Sequence, residues 1–405
     1  MSVIVIGSGP SGLICALECA RAGLETTIIE KNKVLGKKIL ASGGGMCNYT
    51  HDEDKDILMT HYGTKGKQLR HALKAFDARD AIAYLRSLGV EPLIREDGKV
   101  FPKSLKSSSV IEAFAGALKE FKVKILMDEP VTGVEAVDGK WLVRTLKDEY
   151  TASTVVVATG GASYPLLGTT GDAYAWFKAL GVDIMAIKPA LTGISLSDAF
   201  TPLSGLSFKG VTLTILRKGG QVLRSTDDLL ITHKGFSGPL ILNSSRSFEP
   251  GDVLSFNFLD MDKSQFDRFL IDSATQNGKR QLKTVLETLD LPKAFILELL
   301  SRSGIDPTLK MSEVSKKNRQ SLGAIFTDYR ISDFKAIGFK QAMATSGGVS
   351  LEEVSLKTFA LKKHKRIYAV GEVVDIDGDT GGYNIQAALS MGYSAAKQIV
   401  KEELE

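Results

Sequence analysis

The sequence predicts an α/β fold in which a parallel sheet with helical crossovers is built from the two ends of the chain and interrupted by a long insert. Three observations carry this. The chain opens on a β-branched run, Val3-Ile4-Val5-Ile6, which ends at glycine and is followed by apolar residues at helical spacing. Its centre alternates apolar and polar residues in the manner of antiparallel hairpins. After about Ala342 the succession of strand, glycine and helix returns.

Each element follows from its local pattern. Leu13, Ala16, Leu17 and Ala20 recur at helical spacing until Gly23, and Thr26 to Glu30 resumes as a strand, which completes one βαβ unit. An amphipathic helix is expected from His71 to Leu88, ending at Gly89, and another near Val110 to Leu118. Val123 to Met127 is the next buried strand. Val211-Thr212-Leu213-Thr214-Ile215 alternates and meets the turn residues Gly219-Gly220 before Val222 and Leu223, a hairpin signature. Ser264 to Arg302 is helical in period. Arg366 to Val370 is a strand running into glycine, and Ile385, Ala388, Leu389 and Ala396 then mark a helix. The expected organisation is a discontinuous sheet domain, residues 1–190 and 342–405, carrying an insert over 191–341. That insert is expected to be β-rich over 191–262, helical over 263–320, and to return over 321–341.

Composition narrows the function classes. With 405 residues, 43% hydrophobic and 24% charged, the chain can bury at least one large core, has length for two or three domains, and does not have the composition of a disordered one. Basic and acidic residues nearly balance, 51 against 47, with no basic block, so neither nucleic acid nor a membrane surface is expected as a partner. The three cysteines, Cys15, Cys19 and Cys47, form no CxxC pair and no histidine cluster joins them, so no metal site is expected. Sparse cysteine usage and a first strand that leaves no room for a leader point to the cytoplasm.

Gly7-Ser8-Gly9-Pro10-Ser11-Gly12 is a dinucleotide-binding loop in its expected context, between a strand and a helix. Gly7 permits the tight turn, Gly9 lets backbone approach a pyrophosphate, and Gly12 lets helix and strand pack closely. The helix N-terminus offers unpaired N–H groups to the phosphates. Glu30, at the end of the second strand, is placed to accept hydrogen bonds from a ribose diol.

FAD and NAD share this fingerprint, and later segments favour FAD. Thr154-Val155-Val156-Val157 is a buried strand that runs into the small-residue turn Ala158-Thr159-Gly160. Ile367 to Val370 ends in Gly371-Glu372, suited to the ribityl chain of a flavin. Gly381-Gly382-Tyr383-Asn384-Ile385 then opens a helix whose N-terminal dipole stabilises negative charge at the N1/O2 edge of a reduced flavin. No second complete GxGxxG occurs. NAD(P)H, if used, therefore reaches the flavin through the substrate cleft, and otherwise oxygen or another acceptor closes the cycle.

Five ordered motifs carry a resemblance that spans the chain: GSGPSG at 7–12, LGKKILASGGGMCN at 35–48, ATGGASYP at 158–165, THKGFSGP at 232–239, and GEVVD at 371–375 with TGGYN at 380–384. Together they resemble the BaiN/RdsA-type family of bacterial FAD-dependent oxidoreductases, also described as YhiN-like or aminoacetone oxidase-like. The resemblance implies a glutathione-reductase-like FAD-binding Rossmann domain with an inserted β-barrel-like and helical domain. It implies that Gly7 to Gly12, Glu30, Lys31, Lys38, the Ser42-Gly43-Gly44-Gly45 loop, Ala158 to Gly160 and Gly371-Glu372 line the cofactor, with Val131 against adenine through its backbone. Members of the family carry Arg where this chain has Met46, so it also implies a lost charge at that point.

Two residues are candidates for chemistry. His233, in an apolar and glycine-rich stretch, can act as acid or base if the insert closes over the flavin, and is equally readable as a structural histidine. Cys47 is a lone thiol near the flavin or a small packing residue, with packing favoured. Tyr164 and Tyr383 either shape a substrate pocket or pack. The expected activity is hydride transfer between a small-molecule substrate and flavin N5. An aminoacetone-like amine oxidase and an FAD-containing RNA-modifying or RNA-binding protein are the alternatives.

Overall fold

The computed structural model describes residues 2–404. The chain divides into two compact units, one of Met1–Ala190 with Phe339–Glu405 and one of Leu191–Gly338. In the first, strands Ser2–Ile6, Glu25–Ile29, Lys124–Leu126, Thr154–Val157 and Ile367–Ala369 form one sheet in which every pairing is parallel. Numbered along the chain, these strands run 3-2-1-4-5 across the sheet. The winding therefore reverses between Ser2–Ile6 and Thr154–Val157, and a ligand crevice forms outside their carboxyl ends, at Gly7 and Ala158. Val155, Val156 and Val157 are all buried, as a strand covered on both faces requires.

Helix Pro10–Arg21 is apolar nearly all round because it is packed on both sides, by the sheet and by the C-terminal helix Tyr383–Leu404. Gly392 allows the two helices to meet: a Cβ there would overlap the Ser11 carbonyl oxygen and lie 2.7 Å from Ile14 Cγ2. Cys15 and Cys19 are buried free thiols on this helix, where they serve as core residues.

Several elements differ from expectation in physically simple ways. The helix expected from His71 to Leu88 is two helices, Arg70–Ala75 and Ala78–Ser87. Phe76 is extended and buried, and the Asp77 carboxylate then accepts the N–H groups of Arg79 and Asp80 in a capping box that starts the second helix afresh. The strand before Gly371 is only Ile367–Ala369, and Gly371–Val373 is a 3₁₀ turn. Three small antiparallel sheets were not expected. One joins Thr50–His51, Lys99–Pro102 and Pro92–Ile94, another joins Val131–Val137, Lys140–Thr145 and Glu149–Ala152, and the third pairs Ile184–Ala190 with Ala344–Val349.

The second unit contains a seven-stranded antiparallel sheet in the order Tyr329–Ile331, Val253–Asn257, Ser207–Arg217, Gly220–Thr232, Gly235–Ser237, Ile194–Leu196, Phe334–Ala336. Laid flat, its two edge strands would stand about 29 Å apart at ~4.8 Å per strand. Only Ser332 and Asp333 join them, a link that spans at most about 11 Å. The sheet is therefore rolled into a barrel-like shape, around Leu213, Ile215, Phe236 and Phe256. Helices Lys263–Asn277, Leu282–Leu286, Lys293–Ser303 and Lys316–Thr327 pack on the same core, so helical structure extends past the expected end at 320. Among the described residues no helix is long and apolar enough to cross a membrane.

Candidate cofactor site

The three glycines of the first loop are there for different reasons. Gly7 has φ +101°, and a Cβ on it would meet the Ala158 carbonyl oxygen at 2.5 Å. On Gly12 a Cβ would overlap the Gly7 carbonyl oxygen and lie 3.2 Å from Ala158 Cβ. Both are needed by the chain itself, where the first and fourth strands end side by side. Gly9 is not: its φ of −69° suits any residue, and a Cβ would find no protein atom nearer than 3.9 Å. The space in front of Gly9 lies at the N-terminus of helix Pro10–Arg21, where the N–H groups of Ser11 and Gly12 have no partner in the helix. Pro10, at the first helical position, has no N–H to satisfy. A glycine that no neighbour demands, beside unpaired donors, fits a pyrophosphate lying against the backbone.

Glu30 is buried immediately beyond the second strand. One carboxylate oxygen accepts the Ser8 N–H at 3.0 Å and the Ser8 hydroxyl at 2.6 Å, and the other accepts the Asn32 N–H and side-chain amide, both at 2.8 Å. The acid is thus tied to the phosphate loop. A ribose diol would exchange with the Ser8 hydroxyl and the Asn32 amide, which are its mobile donors. Val131 opens its strand two residues after Glu129, whose N–H donates to the Glu30 carbonyl, so Val131 does lie at the Glu30 end. Lys31 turns away to pair with Asp172 at 2.5 Å.

The turn after the last strand contributes Glu372 to a second cluster. Its carboxylate accepts from Lys38 Nζ at 2.5 Å, the Ser163 hydroxyl at 2.8 Å and the Thr345 N–H at 2.9 Å. Gly371, at φ +78°, lies against Ser11, where a Cβ would be 2.5 Å from its hydroxyl. Gly160 likewise admits no Cβ, which would be 2.7 Å from Thr169. Thr159 continues this turn beside Ala158, itself bonded to Ile6 by its N–H. Segments from the start, middle and end of the chain therefore converge at the point of winding reversal.

The Ser42–Gly45 loop leaves the Gly44 and Gly45 backbone open, since a Cβ on either would meet nothing. Ser42 uses its hydroxyl locally, donating to the Ile39 carbonyl. Beside the loop, the Arg95 guanidinium sits over the Phe101 ring at 4.1 Å and 3.7 Å from the Met46 sulfur, so a cation from another segment stands next to Met46. Cys47 is wholly buried and in a left-handed conformation, and burial pushes its thiol up to about 11. At neutral pH the thiol therefore stays protonated, which supports the packing reading over a part in the chemistry.

At the helix start, Gly382 is required by the backbone of Thr50, which a Cβ would approach to 2.7 Å. Asn384 closes its own loop, exchanging hydrogen bonds of 2.9 Å with the Gly378 backbone, and Ile385 packs against the core. Tyr383 is buried, and its ring stacks with His61 at 4.0 Å and His51 at 5.2 Å. Its stacking partners are therefore histidines. The residues around it, His51, Glu53, His61 and Asp379, escaped the sequence reading because the first three lie far from the fourth in the chain, in short segments without a periodic pattern. Tyr164 lies at a left-handed turn, its N–H bonded to the Phe339 carbonyl. His233 is in the second unit, on the exposed turn between Gly220–Thr232 and Gly235–Ser237.

Comparison with known proteins agrees with this architecture. Residues 1–398 match the family described as the HI0933-like protein Rossmann domain. A protein of Haemophilus influenzae named ribosomal RNA dihydrouridine synthase is 29% identical over 98% of both chains. A 3-dehydro-bile acid delta(4,6)-reductase of Clostridium scindens is 29% identical over 97% of both. Among solved structures, a flavocytochrome c3 fumarate reductase in its open conformation shares the fold at TM-score 0.52 and 17% identity, covering all of this chain and 78% of that one. With the loop, acid and crevice described above, the chain belongs to the HI0933-like Rossmann family and is an FAD-dependent oxidoreductase.

Proposed function

We propose that this protein is a reductase of carbon–carbon double bonds conjugated to a carbonyl group, drawing its electrons from NAD(P)H. The observation that carries the reading is the chemistry common to relatives that align end to end. The names dihydrouridine synthase and delta(4,6)-reductase both describe adding two hydrogens across such a bond. Bound FAD supplies hydride transfer at N5. The chain's part is to bind and orient: Gly7 to Gly12 and the helix end take the pyrophosphate, Glu30 the ribose, and the Lys38–Glu372–Ser163 cluster holds the last strand against the crevice. His233 is our acid–base candidate from the second unit, supported by its exposure. A His233→Ala variant with undiminished turnover removes it from that role.

A second reading follows from the same alignments, with the reduced bond in a uridine of ribosomal RNA. The near balance of 51 basic against 47 acidic residues favours the small molecule. The test is anaerobic bleaching of the bound flavin by NADH or NADPH, followed by reoxidation with conjugated enones, with unmodified ribosomal RNA, or with oxygen. Rapid reoxidation by an enone is expected. Reoxidation by RNA alone selects the second reading, and reoxidation by oxygen alone, or by an amine-derived imine, sinks both.

A further inference from the structure

Arg95 stands on the hairpin that joins strands Pro92–Ile94 and Lys99–Pro102. Its backbone is held on both sides, the N–H donating to the Lys99 carbonyl at 3.0 Å and the carbonyl accepting the Gly98 N–H at 2.9 Å. Leu93 pairs with Phe101 in the ladder, so Arg95 lies diagonal to Phe101 on the same face of the hairpin. The guanidinium accordingly rests on the Phe101 ring, 4.1 Å from its centre, with Nη2 3.7 Å from the Met46 sulfur. Phe101 is buried and borders the glycine loop, since a Cβ on Gly43 would be 3.5 Å from its ring.

Nothing in this arrangement uses the charge. Among the described residues the Arg95 guanidinium meets a ring face and a thioether, and neither is an anion. The acids of the hairpin go elsewhere: Asp97 pairs with Lys99 at 2.7 Å, Glu91 with Arg86 at 3.7 Å, and Glu96 is exposed without a bond to Arg95. An arginine stacked by its flat face keeps its edge of N–H donors for a ligand and has already given up much of its side-chain freedom. Beside it the Gly44 and Gly45 backbone is open, at φ +66° and +89°, with no protein atom within 4 Å of a Cβ on either. The hairpin turn also meets His51, whose ring a Cβ on Gly98 would overlap, and His51 Nδ1 lies 3.3 Å from the Gly381 carbonyl oxygen. The hairpin therefore touches the Ser42–Gly45 loop and, through His51, reaches the helix start at Gly381–Gly382.

We propose that Arg95 determines specificity by taking a carboxylate of the substrate whose conjugated double bond is reduced. This rests on the reductase reading and on the assignment of those two segments to the cofactor. A planar carboxylate matches the guanidinium fork with two parallel hydrogen bonds, and no acid of the chain has to be displaced first. The stack on Phe101 fixes where the carboxylate sits, and that fixes how far from it the reduced bond can lie. Met46, uncharged, leaves this cation alone beside the loop.

The experiment uses the flavin-loaded protein and a matched pair of probes, a cyclohexenone bearing a carboxylate and the same ring bearing a carboxamide. Calorimetric titration of the oxidised protein should show the carboxylate bound at least about tenfold more tightly, the worth of one charge-assisted hydrogen bond, with the preference shrinking as salt is raised. Arg95→Met should erase the preference, and Arg95→Lys should keep part of it, since the charge remains without the fork. Adding Met46→Arg to Arg95→Met returns a guanidinium to the same place and should restore the preference, which separates a lost charge from a folding defect. The anaerobically reduced protein should be reoxidised with the same preference, and the KM for NADPH, whose phosphates are the other available anions, should not follow it. Equal binding of the two probes by the parent protein, or a preference that survives in Arg95→Met, overturns the proposal. A change confined to the KM for NADPH overturns it too. Reoxidation by neither probe, with binding of the carboxylate still dependent on Arg95, defeats the reductase reading and leaves the arginine its ligand.

Discussion

Gly9 and Gly12 lie three positions apart, yet alanine at each should act on a different property. Gly12→Ala inserts a methyl group between the Gly7 carbonyl and Ala158 Cβ, both fixed by the parallel sheet. Overpacking of this kind costs about 1–3 kcal/mol, and with backbone on one side there is no rotamer to yield, so about 3 kcal/mol is expected. At Gly9 the methyl meets no protein atom nearer than 3.9 Å. The loss of glycine as a helix N-cap costs about 0.5–1 kcal/mol, and the stiffer unfolded chain returns about 0.4–1 kcal/mol, so apoprotein stability should stay within about 0.5 kcal/mol of the parent. FAD affinity should not. The methyl occupies the approach of the pyrophosphate to the backbone, and losing one or two charge-assisted hydrogen bonds costs about 3 kcal/mol, roughly two orders of magnitude in Kd. Thermal melting of the flavin-stripped variants, followed by fluorescence titration with FAD, separates the two effects. Wild-type FAD affinity in Gly9→Ala, or an apoprotein as unstable as Gly12→Ala, would refute the assignment of Gly9 to the ligand.

Three further outcomes are expected. Cys47 should resist iodoacetamide at pH 7.5 and label faster only as pH approaches about 11, and Cys47→Ala should keep flavin reduction within a few-fold; a loss beyond about a hundredfold would return it to the chemistry. In the second unit, Asp252 is wholly buried and bonded to Arg217 at 2.8 and 3.0 Å, and first that contact and then the Glu249 N–H hold its carboxyl below the usual range. Its stabilisation is present above the ordinary carboxylate value of ~3.9 and is lost as pH falls through the lower folded value, so Asp252→Asn should flatten the acid limb of the unfolding profile. Asp252→Ala should cost that unit about 2–3 kcal/mol in urea unfolding, below the range for a fully buried pair because Arg217 is partly exposed. A chain ending at Gly338 should bind no FAD although Gly7 to Gly12 are intact, and measurable FAD binding by that fragment would show the crevice to be complete without the last strand.

How much of this was legible in the sequence depended on whether a feature is local. The first βαβ unit was, because the strand, the glycine loop and Glu30 lie within one contiguous stretch and each has a periodic or conformational signature. The break at Phe76–Asp77 carried its own signal, an aspartate three positions before another, and was overridden by the amphipathic pattern that continues across it. The Glu372 cluster was only half legible. Gly371-Glu372 marked a cofactor turn, but nothing near residue 372 reveals that Lys38 and Ser163 come to meet its carboxylate. The same holds for Arg95, whose approach to Met46 depends on a hairpin too short to register as strands.

The crevice is held shut by charges that the chain order keeps far apart. Lys38 with Glu372, Lys65 with Asp375, and His61 with Asp379 each join the first part of the flavin unit to the last. The whole second unit lies between the partners in sequence. Until residues 367–384 return, Lys38 and Lys65 stand without their acids, the sheet lacks its fifth strand, and helix Pro10–Arg21 exposes the apolar face that Tyr383–Leu404 covers. Contacts of such long sequence separation form late, because loop closure must precede any gain from them. The glycine loop can thus fold early as a local unit, yet the crevice is completed only by the end of the chain.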